Sequence, residues 1–212
     1  MSPSPGIRPS PLALTVLAML AYEPLHPYRM QRLMQLWGKD RVVNIGARAN
    51  LYRTINRLHE AGLITVRQTE RDQQYPERTV YELTEEGRAA SHEWLTEMLS
   101  APRHEFPEFP AALSFTMLLG PQKTLEVLER RATVLAETLA GLDHDLAGGY
   151  DHLPRVTMLE TEYLRAVTAA ELTWLTGVVD DLRGGVLGWT YEELAAAVDD
   201  DATGDPDTET PA

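Results

Sequence analysis

The sequence predicts a mainly α-helical protein in two parts, with a single β-hairpin in the first part. Apolar residues recur every three or four positions through most of the 212-residue chain, which is the spacing of helices packed on one side. Two adjacent runs rich in β-branched and aromatic residues interrupt this pattern and predict two strands. Glycine and proline mark most boundaries between segments.

Three helices open the first part, and each has a start or stop signal. Ser10 and Pro11 supply a cap and a proline at the first helical position, Pro27 opens the second helix, and Gly62 ends the third. The predicted helices cover residues 11–22, 27–36 and 47–61. Residues 1–10, rich in proline and serine, are predicted to be a flexible N-terminus.

The hairpin and a fourth helix follow. The β-rich runs 63–69 and 78–83 are separated by a polar stretch, which predicts a hairpin with a long tip. Thr84, followed by two glutamates, caps a fourth helix. Three helices, a hairpin and a fourth helix in this order predict an N-terminal winged helix-turn-helix over residues 11–100.

The second part is predicted to be a C-terminal α-helical domain. A linker rich in proline and phenylalanine, 101–110, leads into helices over 111–185. The first long helix, after Gly120-Pro121, carries leucines with gaps alternating between three and four, which is a heptad seam. A short helix over 186–198 and a disordered acidic tail over 199–212 complete the prediction.

The last long helix, predicted over 155–182, has two apolar stripes side by side. The first stripe contains Val156, Leu159, Tyr163, Val167, Ala170, Trp174 and Val178. A helix that is apolar on two sides needs two packing partners, so the second stripe predicts a partner subunit. The predicted dimer interface joins that stripe to the heptad seam: Leu125, Leu128, Leu135, Leu139, Leu142, Leu164, Leu175, Val179 and Leu182.

Charge divides the chain. Residues 1–100 hold 12 basic and 11 acidic side chains, whereas residues 101–212 hold 7 and 21, and the formal net charge is −13. From Pro24 to Gln68, however, eight basic residues stand against two acidic ones. On a winged helix-turn-helix, such a basic segment predicts a surface that binds nucleic-acid phosphates. The acidic second part cannot be that surface.

The third helix carries the predicted base contacts. Its face opposite Leu51, Ile55 and Leu58 holds arginines and asparagines, which suit guanine and adenine edges in the major groove, and we predict that Arg53 and Asn56 read bases. A solvated helix face is the alternative, and Tyr28 can equally well pack inside. The predicted DNA-binding residues are Tyr28, Arg29, Arg32, Arg48, Asn50, Tyr52, Arg53, Asn56, Arg57, Arg67, Arg71 and Arg78.

Three stretches of the chain resemble the PadR family of transcriptional regulators. They are PLHPYRM at 24–30, NLYRTINRLHEAGLI at 50–64 and RTVYELTEEGR at 78–88, and the resemblance covers roughly residues 11–185. EFPEFPAALSF, residues 105–115, is similar to the start of the helical domain in the longer-tailed branch. The chain departs from the family at Pro27, where the family has glycine, and at Arg53, which replaces the usual proline and is expected to alter which operator is read.

The resemblance implies a homodimeric repressor that binds promoter DNA and is released by a small molecule. Two-fold symmetry then predicts an operator that is an inverted repeat. Six aromatic residues could line a cavity for a small aromatic or apolar effector, although aromatic residues at helical spacing more often belong to a core. They are Trp94, Phe106, Phe109, Phe115, Tyr163 and Trp174.

Other functional classes find little support in the sequence. The absence of cysteine excludes disulfides and thiolate catalysis, and no catalytic motif or paired-histidine metal motif is found, so neither an enzyme nor a cofactor or metal site is predicted. The apolar stretch 11–22 is too short for a membrane span and unlike a signal peptide, which predicts a cytoplasmic protein with no membrane partner. Two alternatives stay open: a winged helix that binds protein instead of DNA, and an enzyme that uses the aromatic pocket.

Overall fold

The computed structural model describes residues 7–44, 48–70, 78–148, 154–193 and 196. The chain forms two compact units, Met1–His104 and Glu105–Ala212. The fold class is confirmed, because the first unit has the winged helix-turn-helix order and the second is helical throughout its regular elements.

The first unit contains four helices and one hairpin: α1 (Pro11–Tyr22), α2 (Pro27–Leu36), α3 (Arg48–Glu60), β1 (Ile64–Glu70), β2 (Arg78–Leu83) and α4 (Glu85–Ser100). The predicted start signals act as expected. The Ser10 hydroxyl accepts a hydrogen bond of 3.2 Å from the backbone N–H of Ala13, and Ile7 packs against the core just before this cap. Gly62, with φ at +72°, ends α3 in the left-handed conformation that glycine adopts readily.

One apolar core joins all four helices and β1. Val16 and Leu17 of α1 have no exposed area, which explains why this helix is apolar on most sides. Leu51, Ile55 and Leu58 of α3 are also completely buried, so the opposite face of α3 points to solvent. Trp94 of α4 is buried in the same core.

The hairpin is antiparallel, pairs Ile64 with Leu83, and has a bulge between Val66 and Gln68. A short third segment that the sequence did not predict joins it: Leu25 and Tyr81 exchange two backbone hydrogen bonds of 3.0 Å each. The segment between α1 and α2 is therefore fixed against β2. At the other end of β2, the Thr84 hydroxyl donates to the Gly62 carbonyl at 2.8 Å and ties α4 to the end of α3.

The second unit is built on two long helices that pack along each other. Its elements are α5 (Glu108–Leu113), a 3-10 turn (Thr116–Leu118), α6 (Pro121–Ala147), a second 3-10 turn (Arg155–Met158) and α7 (Leu159–Arg183). The first helix of this unit begins at Glu108, inside the linker predicted over 101–110, because Pro110 falls in the first turn of the helix, where proline is tolerated. After α7, the Trp189 indole N–H donates to the Leu119 carbonyl at 3.2 Å and so returns the chain to the start of α6.

The two apolar stripes of α7 lie in different environments, and this corrects the predicted dimer interface. Leu175, Val179 and Leu182 of the second stripe are buried with Leu128 of α6 inside the protomer, and Leu142 of α6 is buried as well. The remaining residues of the predicted interface are half-buried: Leu125, Leu135, Leu139 and Leu164. Since α6 already covers the second stripe, most of the first stripe of α7 is left exposed to solvent.

Candidate nucleic-acid interface

The outward face of α3 carries a compact set of polar and basic side chains. Tyr52, Arg53, Asn56 and Arg57 are exposed, and Asn50 is half-buried at the edge of the face. The buried stripe on the other side of α3 fixes this orientation, because a turn of the helix about its axis would expose three apolar side chains. This face of α3 therefore presents two arginines and one exposed amide to solvent.

We use the name basic face for the exposed residues of α2, α3 and β1 that the sequence predicted to contact DNA: Tyr28, Arg29, Arg32, Tyr52, Arg53, Asn56, Arg57 and Arg67. Arg53 donates a long hydrogen bond of 3.4 Å from Nε to the Ala49 carbonyl, which directs its side chain along the helix. Within the part of the chain that the structure describes, Arg32, Arg53 and Arg57 form no ion pair. Their guanidinium groups are thus available to an anionic ligand.

A groove of about 720 Å³ separates the start of α2 from the hairpin. On one side of the groove, His26 caps the start of α2: its Nδ1 accepts a hydrogen bond of 3.1 Å from the backbone N–H of Tyr28. One arginine stands on each side, and both are paired: Arg29 with Glu23 at 2.8 Å, and Arg67 with Glu82 at 4.0 Å. The lining residues are Pro24, His26, Tyr28, Arg29, Arg67, Gln68 and Val80.

Two residues that the sequence did not mark as important position α3 against the hairpin. The rings of His59 and Tyr81 meet edge to face, with centroids 5.9 Å apart, and His59 Nδ1 lies 3.1 Å from the Ile64 carbonyl oxygen. Burial raises the pKa of the Tyr81 phenol, and the nearby Tyr52 raises it further. The phenol therefore remains neutral at physiological pH. The sequence gives little indication of these roles, because His59 is simply a histidine in the last turn of a helix and Tyr81 a tyrosine in a strand.

Some predicted DNA-binding residues are not fully described. Arg71 lies outside the described residues, as does the tip of the hairpin. Arg48 and Arg78 have backbones in α3 and β2, but their side chains lie outside the described part of the structure.

Two of the six aromatic residues predicted to line an effector cavity contact each other in the structure. Phe109 and Trp174 meet edge to face with centroids 6.3 Å apart, and the guanidinium carbon of Arg131 lies 3.5 Å from the centre of the Phe109 ring. Arg131 Nε also donates to Glu171 at 2.7 Å. Trp94 belongs instead to the core of the first unit, so it is not part of this cluster. The other three of the six aromatic residues are exposed to solvent: Phe106, Phe115 and Tyr163.

Over 7–44, 48–70, 78–148 and 154–193, histidine, aspartate and glutamate side chains form no group of three that could hold a metal ion. No helix in those same ranges is both long enough and apolar enough to cross a bilayer.

Residues 16–93 match the family described as "Transcriptional regulator PadR-like family". No curated protein matches the chain.

Among solved structures, Bacillus subtilis PadR in complex with operator DNA superposes with a TM-score of 0.68 at 18% identity, covering 81% of this chain and 98% of that one. The same protein in complex with p-coumaric acid gives 0.65 at 18% identity, with the same coverage of 81% and 98%. The Vibrio cholerae virulence activator AphA gives 0.64 at 20% identity, covering 82% and 98%. At these identities the structural similarity establishes a shared fold.

Proposed function

We propose, because residues 16–93 match the PadR-like family of transcriptional regulators, that this chain is a homodimeric repressor that binds an inverted-repeat operator. The observation that carries the proposal is the basic face: eight exposed polar, aromatic and basic side chains on α2, α3 and β1 of a protein whose net charge is −13. A surface of this kind on an acidic protein attracts a polyanion locally, while the rest of the molecule repels it.

The α3 helix is the element we assign to the major groove. A helix with side chains is about 10–12 Å wide and fits a major groove of about 12 Å. Arg53 and Asn56 lie on adjacent turns of the exposed face, where Arg can bond to guanine and Asn to adenine through paired hydrogen bonds. Arg32 and Arg57, which have no ion pair among the described residues, are assigned to phosphates flanking those bases.

The first stripe of α7 supports the homodimer. Tyr163, Val167 and Trp174 of α7, with Val156 of the 3-10 turn just before it, are between 47% and 69% exposed. A continuous apolar surface of this kind is uncommon on a monomer and is typical of a protein interface. A homodimer carries two α3 helices, and the half-sites of its operator are then expected to lie about one helical turn of 34–36 Å apart.

Release by a small molecule is the regulatory part of the proposal. The Phe109–Trp174 pair with Arg131 above the ring offers aromatic stacking and a positive charge, which suits a small aromatic acid. The structural relative that was solved with p-coumaric acid supports this class of effector. A ligand can release DNA only if it binds more tightly to a dimer in which the α3 helices no longer match the half-sites.

The DNA-binding proposal is tested by selecting bound duplexes from a random pool and measuring affinity for the enriched sequence at several salt concentrations. Arg53→Ala should weaken binding by about 1–3 kcal/mol and relax preference at one position. Arg88→Ala, on α4 and outside the basic face, is the matched control and should bind as wild type. An unchanged sequence preference in Arg53→Ala would contradict the assignment of Arg53 to a base.

The same selection of bound duplexes also tests the alternative that the winged helix binds protein instead of DNA. That alternative predicts no enrichment and no salt-dependent duplex binding. A repressor that makes several phosphate contacts should instead lose affinity steeply as salt rises.

The homodimer is tested by light scattering of Val167→Lys. A lysine in the exposed stripe should produce monomers and abolish tight operator binding, because each half-site alone is weak. Thr176→Lys, exposed on the opposite side of α7, is the control and should remain dimeric. A dimeric Val167→Lys protein would show that the interface lies elsewhere.

A further inference from the structure

The groove between the start of α2 and the hairpin is held open by backbone contacts. The two hydrogen bonds of 3.0 Å between Leu25 and Tyr81 fix the segment before α2 against β2. The helix that carries Arg29 starts two residues later, and β1 carries Arg67 on the other side. Arg29 and Arg67 therefore line the same groove, and guanidinium groups are well suited to bind phosphate oxygens.

Both of these arginines are already paired with a carboxylate, whereas Arg32, Arg53 and Arg57 have no ion pair with any described residue. Arg29 Nη2 donates to Glu23 Oε1 at 2.8 Å, and Arg67 Nη1 lies 4.0 Å from Glu82 Oε2. The four side chains are between 39% and 60% exposed. Exposed ion pairs are weak, because water and salt screen them, so a stronger anion can displace the carboxylate.

We infer that Glu23 and Glu82 compete with a backbone phosphate of duplex DNA for Arg29 and Arg67. This inference rests on the proposed function and adds to it the residues that limit affinity. When DNA enters the groove, the two arginines exchange their carboxylates for phosphate oxygens, which accept paired hydrogen bonds from guanidinium. The released carboxylates then lie close to the phosphate and repel it. Glu23 and Glu82 therefore lower the affinity for any duplex, whatever its sequence.

The exchange of carboxylate for phosphate should be detectable in how the affinity for DNA depends on salt concentration. A carboxylate that loses its arginine takes up a cation from solution, which offsets part of the counterion release at the phosphate. Replacing that carboxylate by an amide removes this uptake of a cation on DNA binding. The slope of log affinity against log salt should then steepen by up to about 0.9 for each site. A purely structural role for Glu23 or Glu82 would not change this slope.

The test uses the full chain with Glu23→Gln, Glu82→Gln and the double variant, binding both the selected operator and a scrambled duplex. Each single change should tighten binding to both duplexes by about two- to fivefold, leave their ratio unchanged and steepen the salt slope. Glu93→Gln, an exposed glutamate of α4 that has no ion pair among the described residues, is the control for loss of one negative charge.

The decisive comparison repeats Glu23→Gln on an Arg29→Ala background, and Glu82→Gln on an Arg67→Ala background. The gain in affinity should disappear there, because the competing arginine is gone. A gain that persists in full, or one equal to that of Glu93→Gln, would overturn the inference by reducing it to a general charge effect. Tight wild-type binding with no change in Glu23→Gln would overturn the inference alone. Failure of the wild type to bind any duplex at low salt would overturn the proposed function as well.

Discussion

Replacing Gly87 by alanine should destabilise the first unit, because the structure leaves no space for a methyl group. Gly87 is buried in the first turn of α4. A Cβ atom there would lie 1.9 Å from the Leu63 carbonyl oxygen and 2.8 Å from Leu83 Cδ1. Side-chain carbons essentially never come closer than 3.0 Å to such atoms, so α4 or the Leu63 carbonyl must move by at least about 1 Å.

The cost of this movement follows from the contacts it breaks. The Thr84 N–H donates to the Leu63 carbonyl at 3.2 Å, and the Thr84 hydroxyl donates to the Gly62 carbonyl at 2.8 Å. Overpacking costs about 1–3 kcal/mol and each lost hydrogen bond about 1 kcal/mol, while alanine returns about 1 kcal/mol through its higher helix propensity. The net loss is about 2–4 kcal/mol. For a unit of this size, that lowers Tm by about 10–25 °C.

Thermal unfolding followed by circular dichroism measures this loss. Gly141→Ala is the matched control, since Gly141 lies within α6 and a methyl group there meets no atom within 4 Å. The control should be neutral or gain up to about 1 kcal/mol. If Gly87→Ala melts at or above the wild-type temperature, the packing of α4 against the end of α3 is not as described, and the reasoning from steric contact fails.

Three further predictions concern single contacts. Thr84→Ala should cost about 1–2 kcal/mol by removing the cap of α4, whereas Thr84→Ser should retain most of the stability, as measured by thermal melting. Leu175→Ala, at a site with no exposed area, should cost about 2–5 kcal/mol in denaturant titration, against less than about 0.5 kcal/mol for the exposed Leu118→Ala. Two hydrogen bonds from Arg155 lower the pKa of Glu162, so an NMR titration should find its carboxyl midpoint below that of a free glutamate, and Arg155→Ala should restore it. Stability from this pair is complete above the ordinary glutamate pKa and disappears as pH falls through the lowered one.

Elements with strong local signals were predicted closely. The helices over 11–22 and 27–36 match in both bounds, because proline fixes their starts, and β2 matches because its β-rich run ends at the capping residue Thr84. The bridge between Leu25 and Tyr81 could not be predicted in the same way. It involves one residue from a connecting segment, and a single pairing leaves no alternation in the sequence from which to infer a strand.

The candidate site, too, was predicted from the sequence only in part. The face of α3 followed from periodicity, because three buried apolar residues determine which side of a helix is left for polar ones. The pairing of Arg29 with Glu23 and of Arg67 with Glu82 did not follow. Glu23 is six residues from its partner across a break between two helices, and the bulge near Val66 shifts the register that relates β1 to β2. Such pairs depend on the tertiary arrangement of side chains.

Periodicity predicted the two apolar stripes of α7 but not which of them packs against α6. Both stripes are apolar, so spacing alone cannot tell which of them a helix of the same chain covers. Charged residues beside the second stripe distinguish them: Glu171 pairs with Arg131, and Arg183 pairs with Glu129 at 2.7 Å, both across to α6. These ion pairs flank the buried contact and orient α7 toward α6. The first stripe is left uncovered with Trp174 and Val167 about half exposed, which is why the dimer proposal rests on that stripe.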